Sequence, residues 1–296
     1  MLSHNQIPTQ ISTRVPAQMP AQLHSRTFDR TLGEPATGTR SGGFGIRILG
    51  PLEAFNGPSA HRPRGPKVRK LLALLAVRAG DIVEVDTLVE ELWDGAPPST
   101  AVSTVRTHIY HLRQELEREL AGTAVRDVVA TEGTGYSLRL APGRLDLEQF
   151  TQLYGQARTK LRAGDPEAAL EKLDTALGLW RGRALADVAQ GRVLAGHGVR
   201  IEELHSRARE LRIEAIMILG QHREAVPELF RMVAMDPLNE WLHARLIDAL
   251  YRSGRRGEAL RAFHHVRDVL AEELGLEPSD DLRRLQHHIL AGGSAA

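Results

Sequence analysis

Residues 99–116 read STAVSTVRTHIYHLRQEL, and this stretch decides the fold. Val102, Val105, Ile109, Leu112 and Leu116 follow one another at spacings of 3, 4, 3 and 4. That period predicts a helix starting at Ser99 or Thr100 with one buried stripe. Side chains about 100° per residue away from the stripe point outward. They are Ser103, Thr107, Tyr110, His111 and Gln114, with Thr104 near the edge and Arg106 and Arg113 flanking. No acid occurs between Thr100 and Gln114. Hydroxyls, an amide, imidazole and edge arginines suit a major groove: donors meet base acceptors and arginines meet phosphates. Glu115, Glu117 and Glu119 follow and would repel phosphate, which places the contact on the N-terminal and middle turns.

Outward from this helix the pattern continues. Upstream, Val68, Leu71, Leu72, Leu75 and Ala79 predict a helix over Pro66–Ala79, stopped by Gly80. A second helix runs to Trp93, with Leu88 and Leu92 on one face and Thr87 and Glu90 spaced as a capping box. Pro97 and Pro98 forbid helix between it and the third. Ahead of these, Ile46, Ile48, Leu52 and Phe55, with the turn signal Asn56-Gly57, predict a small sheet beginning at Gly45. Downstream, Val128 and Val129, a Gly-rich turn at 133–135 and Tyr136–Leu140 predict a hairpin. The order is sheet, three helices, hairpin. Residues 1–44, rich in Gln, Ser, Thr, Pro and Gly, predict a disordered tail.

From Leu145 onward nearly every segment is helical by period. Gly220-Gln221-His222-Arg223-Glu224-Ala225 resembles Gly254-Arg255-Arg256-Gly257-Glu258-Ala259, and the Glu-Ala pairs are 258 − 224 = 34 positions apart. That is the period of a tetratricopeptide-type hairpin, with an earlier copy at Gly164-Asp165-Pro166-Glu167-Ala168. The fold class expected is mainly α with a small β component: a winged helix-turn-helix at 45–141, then an all-α repeat domain at 145–291. A fragment ending before residue 145 is expected to fold alone.

Composition excludes several functions. With no cysteine, disulfides, thiol nucleophiles and Cys-based zinc sites are ruled out. His108 and His111 lack a third ligand, and the adjacent pairs His264-His265 and His287-His288 point to different helix faces, so no metal and no cofactor are expected. No catalytic motif is present, and no enzymatic activity is expected. No signal peptide or membrane span is legible, so the expected location is the cytoplasm, at the nucleoid. The net charge is only +1, but it is segregated. Six Lys or Arg and no acid lie from Arg62 to Arg78, and six acids and no base from Asp81 to Asp94. A polyanion suits one surface and a basic protein the other.

Residues 45–141 resemble the winged helix-turn-helix of OmpR-like response regulators, and 45–291 the SARP family of antibiotic-pathway activators. The residues that carry the resemblance are Ile48–Glu53, Lys67–Leu75, Leu88–Trp93 with Gly95, Val105–Leu116, Gly133–Leu138, Leu145–Phe150, Gly164-Asp165, Trp180-Arg181-Gly182 and the Glu-Ala repeats. The resemblance implies that the helix from Ser99 is the recognition helix and that Thr134, Gly135 and Tyr136 form the wing. It implies that Asp94, Gly95, Ala96 and Pro97 face RNA polymerase. It further implies binding to direct repeats of double-stranded DNA near the −35 region and recruitment of polymerase holoenzyme with its sigma factor for an antibiotic or secondary-metabolite cluster. The repeat domain is expected to mediate dimerisation, protein contact or both, giving a homodimer on DNA. His111 stands where related helices often carry Arg. The same residues also allow a helical-repeat adaptor or effector-binding regulator with a non-functional winged helix.

Overall fold

The computed structural model describes residues 43–120 and 125–292. The expected tail, apart from Gly43 and Phe44, lies outside them. Strand β1 (Phe44–Arg47) opens one residue before Gly45 and pairs with β2 (Glu53–Asn56), which pairs with β3 (Ser59–His61). Asn56 faces Ser59 across the ladder, so the tight turn falls where expected but with Gly57 and Pro58, not Asn56 and Gly57, as its two loop residues. Helix α1 (Pro66–Val77) follows, with Pro66 in its first turn. Next come β4 (Ile82–Glu84), α2 (Val85–Trp93), α3 (Ala101–Glu119) and the single turn α4 (Val125–Val128). Strands β5 (Val129–Glu132) and β6 (Gly135–Leu138) close the unit, in a second sheet ordered β4-β6-β5.

Three local expectations change. The stripe of α3 is Ala101, Val105, Ile109, Leu112 and Leu116, and Val102 is exposed. With the helix starting at Ala101, steps of 4, 4, 3 and 4 keep the stripe on one side. The Thr87–Glu90 capping box does not form; the residue before α2 is Glu84, in extended conformation, with no side-chain cap. Strand β4 is an addition, and it turns the hairpin into a three-stranded sheet with β6 in the middle.

The repeat region is α5 (Asp146–Arg162), α6 (Pro166–Leu177), α7 (Arg192–Ile218), α8 (His222–Met235), α9 (Glu240–Arg252), α10 (Arg256–Leu274) and α11 (Asp280–Leu290). Gly164, Gly220 and Gly254 all sit at positive φ just before a helix, so the repeated glycine marks the repeated turn. Gly164 precedes Gly220 by 56 positions, because the loop after α6 and the 27-residue α7 intervene.

The core does not divide at the chain boundary near residue 142. One apolar cluster runs from Phe44 through the winged helix into α5, α6 and the first half of α7, ending at Ala208. A second begins at Ile213 and fills α8 to α11. Helix α7, about 40 Å long at 1.5 Å per residue, therefore contributes to both cores. Polar bonds seal the first. The Asp146 carboxylate accepts from Ile48 N at 2.8 and 2.9 Å and from Leu49 N at 2.9 Å. Burial pushes this carboxyl above its ordinary range, and the amide bonds and Arg181 pull it back. Asp187 accepts from Leu52 N at 2.7 Å, and Leu185 N and Arg181 N donate to the carbonyls of Ile48 and Leu49. Against the expectation that the winged helix folds without residues 145–296, its core is shared with α5, α6 and α7.

Candidate nucleic-acid interface

Helices α1, α2 and α3 pack on one another, and α3 buries its stripe against that core. Its opposite face is open: Ser103, Arg106, Thr107, Tyr110, His111 and Gln114 are exposed, and Thr104 is half-buried. The hydroxyls of Ser103 and Thr104 donate to Thr100 O at 2.8 and 2.9 Å, and Thr107 donates to Ser103 O at 3.0 Å. Each hydroxyl hydrogen is thus engaged within the helix, and outward the groups present oxygen lone pairs and threonine methyls. Tyr110 is 56% exposed and meets His111 edge to face, with centroids 5.7 Å apart. Arg106 makes neither hydrogen bond nor ion pair among the described residues. Behind the face, His108 is held below its ordinary pKa by burial, then by Lys67 and His111, so it adds no charge at neutral pH.

Arg113 is placed differently from its neighbours. It is half-buried, and its Nε and Nη2 donate to Val129 O at 2.9 and 2.5 Å, while Nη2 also reaches Thr131 Oγ1 at 2.9 Å. Its guanidinium lies 5.8 Å from the Tyr136 ring. Arg113 therefore ties the helix to strand β5 and fixes the angle between them. Of the wing residues, Thr134 is exposed at the turn, where its hydroxyl bonds Glu84. Gly135 and Tyr136 are buried, Tyr136 to 6% exposure, because β6 is the central strand. A Cβ on Gly135 would stand 2.5 Å from Val83 O, so glycine lets β4 approach.

The loop after α2 holds Asp94, Gly95, Ala96 and Pro97, all exposed. Asp94 adopts φ 49 and Gly95 φ 88. Asp94 Oδ1 accepts from Arg192 N at 3.2 Å, so the loop rests on the start of α7. The acidic run before it is not one free surface. Glu91 is fully buried, accepting from Gly191 N at 2.6 Å and Leu194 N at 2.9 Å. It caps the N-terminus of α7 from outside that helix. Trp93 is half-buried under Lys67, whose Nζ lies 4.4 Å from the ring. Glu91 and Asp146 are structural carboxylates whose partners, backbone amides about a hundred positions away, leave no mark in the sequence.

A profile of the C-terminal domain of transcriptional regulatory proteins matches residues 63–138, and one of the bacterial transcriptional activator domain matches residues 145–290. Over 248 residues the chain is 37% identical to the regulatory protein DnrI of Streptomyces peucetius, which takes in 83% of this chain and 91% of DnrI. The chain belongs to the SARP family of transcription activators. This SARP-family chain is also 38% identical over 250 residues to the transcriptional regulator RedD of Streptomyces coelicolor, covering 83% of the chain and 70% of RedD. A solved structure of Mycobacterium tuberculosis EmbR with a low-affinity phosphopeptide aligns at TM-score 0.78 and 30% identity, over 84% of this chain and 65% of that one. The SARP-family fold, a winged helix followed by a helical repeat region, thus stands on sequence and on structure. Among its described residues no helix is long and apolar enough to cross a membrane.

Proposed function

We propose that this regulator lays α3 in the major groove of double-stranded DNA and reads bases with Thr107 and His111. Ser103, Thr104, Tyr110 and Gln114 lie beside them, and Arg106 sits on phosphate. Thr134 meets the backbone from the wing turn, and Arg113 serves as a strut that sets the wing against the helix. The observation that carries this reading is the exposed face of α3, free of acids from Ala101 to Gln114 and open to solvent. Two copies bind direct repeats near a −35 element of an antibiotic or secondary-metabolite promoter at the nucleoid. Bound there, they recruit RNA polymerase holoenzyme, sigma factor included, through the loop Asp94–Pro97. The activity is binding and recruitment, with no chemical step.

Selection from randomised DNA tests it. Thr107→Ala and His111→Ala each shift preference at one base of each repeat by about 1–3 kcal/mol. Motifs identical to wild type from both variants would sink the assignment.

The loop is tested separately. Asp94 also bonds Arg192, so Pro97→Ala is the cleaner variant. It leaves DNA affinity within about twofold, under ~0.5 kcal/mol, yet lowers transcription from the target promoter. Proportional loss of binding and transcription in one titration would make the loop structural.

A further inference from the structure

The second core carries a feature that DNA reading does not use. Between α8, α9 and α10 lies a cavity of about 390 Å³, within the roughly 300–1,000 Å³ of small-ligand sites. Phe230, Val233, Ala234, Leu246 and Ala262, with Pro237, make its apolar wall. Phe230 is 46% exposed, an aromatic ring that folding leaves half uncovered at the rim. Isolated exposed apolar residues are ordinary, but this one lines a concave site.

The polar groups in the cavity are few. His243 is 1% exposed, and its Nε2 lies 2.9 Å from Pro237 O. A carbonyl only accepts, so Nε2 carries the proton and Nδ1 is an acceptor. Burial holds this imidazole below its usual pKa range against the pull of that bond, and it stays neutral. Glu258 also lines the cavity, but Arg255 takes both its oxygens, at 2.7 and 2.6 Å. Arg261 stands at the mouth beside His265, exposed.

Arg261 differs from the other arginines of α9 to α11, while Arg223 and Arg231 of α8 resemble it in making neither hydrogen bond nor ion pair among the described residues. Arg252, Arg255, Arg267, Arg283 and Arg284 each pair with a carboxylate. Arg245 lies over Trp241, and Arg256 donates to Leu290 O. Arg261 makes neither hydrogen bond nor ion pair among the described residues of α9 to α11. The Glu258 carboxylate feels Arg261 but is already held by Arg255, and an exposed guanidinium beside an apolar cavity suits one carboxylate or sulfonate on an apolar body. We propose that this cavity binds a small apolar molecule bearing a single anionic group, with its body against Phe230 and Leu246 and its charge at Arg261.

The probe is 1-anilinonaphthalene-8-sulfonate, titrated by fluorescence into the full chain, with uncharged N-phenyl-1-naphthylamine in parallel. Wild type binds the sulfonate saturably, one per chain. Arg261→Gln weakens that binding about tenfold and leaves the uncharged probe unaffected. Ala234→Trp, at an exposed wall position, abolishes saturable binding of both probes. Should that variant be destabilised, Phe230→Ala takes its place and weakens both. Absence of saturable sulfonate binding to wild type overturns the proposal. So does undiminished binding in Arg261→Gln, or in the folded wall variant.

Discussion

Replacing Glu91 with alanine lowers the unfolding free energy by about 3–5 kcal/mol, read from urea midpoints at constant slope. The side chain is fully buried, and both its oxygens are used, one on Gly191 N and the other on Leu194 N. These amides belong to the first turn of α7, where a helix has no internal acceptors to offer. Alanine leaves them buried and unpaired, at roughly 1–3 kcal/mol each, and adds the void of the lost side chain. The approach is also close: a Cβ on Gly191 would stand 2.4 Å from Glu91 O, so no larger residue there could move in to help. Glu91→Gln keeps the volume and one acceptor oxygen, but turns an amide NH₂ toward the other N–H. It costs about 2 kcal/mol. If both variants unfold within 1 kcal/mol of wild type, Glu91 is not the clamp between α2 and α7.

How far the sequence could show this depends on the kind of signal each element leaves. The stripe Val105, Ile109, Leu112 and Leu116 is a long 3.6-residue repeat, and it announces α3 without ambiguity. The glycines at 164, 220 and 254 announce the repeat because positive φ selects them. Strand β4 leaves almost no trace. It is three residues long with Ile82 exposed, and its partner β6 lies some fifty positions away. Missing β4 also hides the burial of Gly135 and Tyr136, which become central only when a third strand pairs with β6. Glu91 and Asp146 were illegible for another reason. Their partners are backbone amides, which every residue except proline owns, so no spacing marks them. In the sequence Glu91 is one more acid in a surface-like run. Arg113 shows the same limit at the candidate site. Its place on the helix is plain, but that its guanidinium turns to Val129 O depends on where β5 comes to lie.

A fragment ending at residue 144 fails to unfold cooperatively, and its amide proton–nitrogen spectrum collapses toward random-coil dispersion. Ile46, Ile48, Leu49 and Leu52 are fully buried in the core shared with α5, α6 and α7. Each such side chain contributes about 1.5–3 kcal/mol when removed from water entirely, and truncation strips one wall from all four. The amides of Ile48, Leu49 and Leu52 lose Asp146 and Asp187, at a net ~0.5–1.5 kcal/mol each once water replaces the partner. On the other side of the molecule, Leu88 and Leu92 of α2 lose the cover of α7, and Glu91 loses both its donors. Together these losses match the roughly 5–15 kcal/mol that holds a whole domain together. A longer fragment ending at residue 212 keeps all of the first core, since that cluster ends at Ala208. It should therefore recover cooperative unfolding while lacking α8 to α11. The pair of fragments separates a shared core from mere chain length: a folded 43–144 piece with native dispersion would show that the winged helix stands alone. If neither fragment folds, the second core is also required, and the division inside α7 has no energetic meaning.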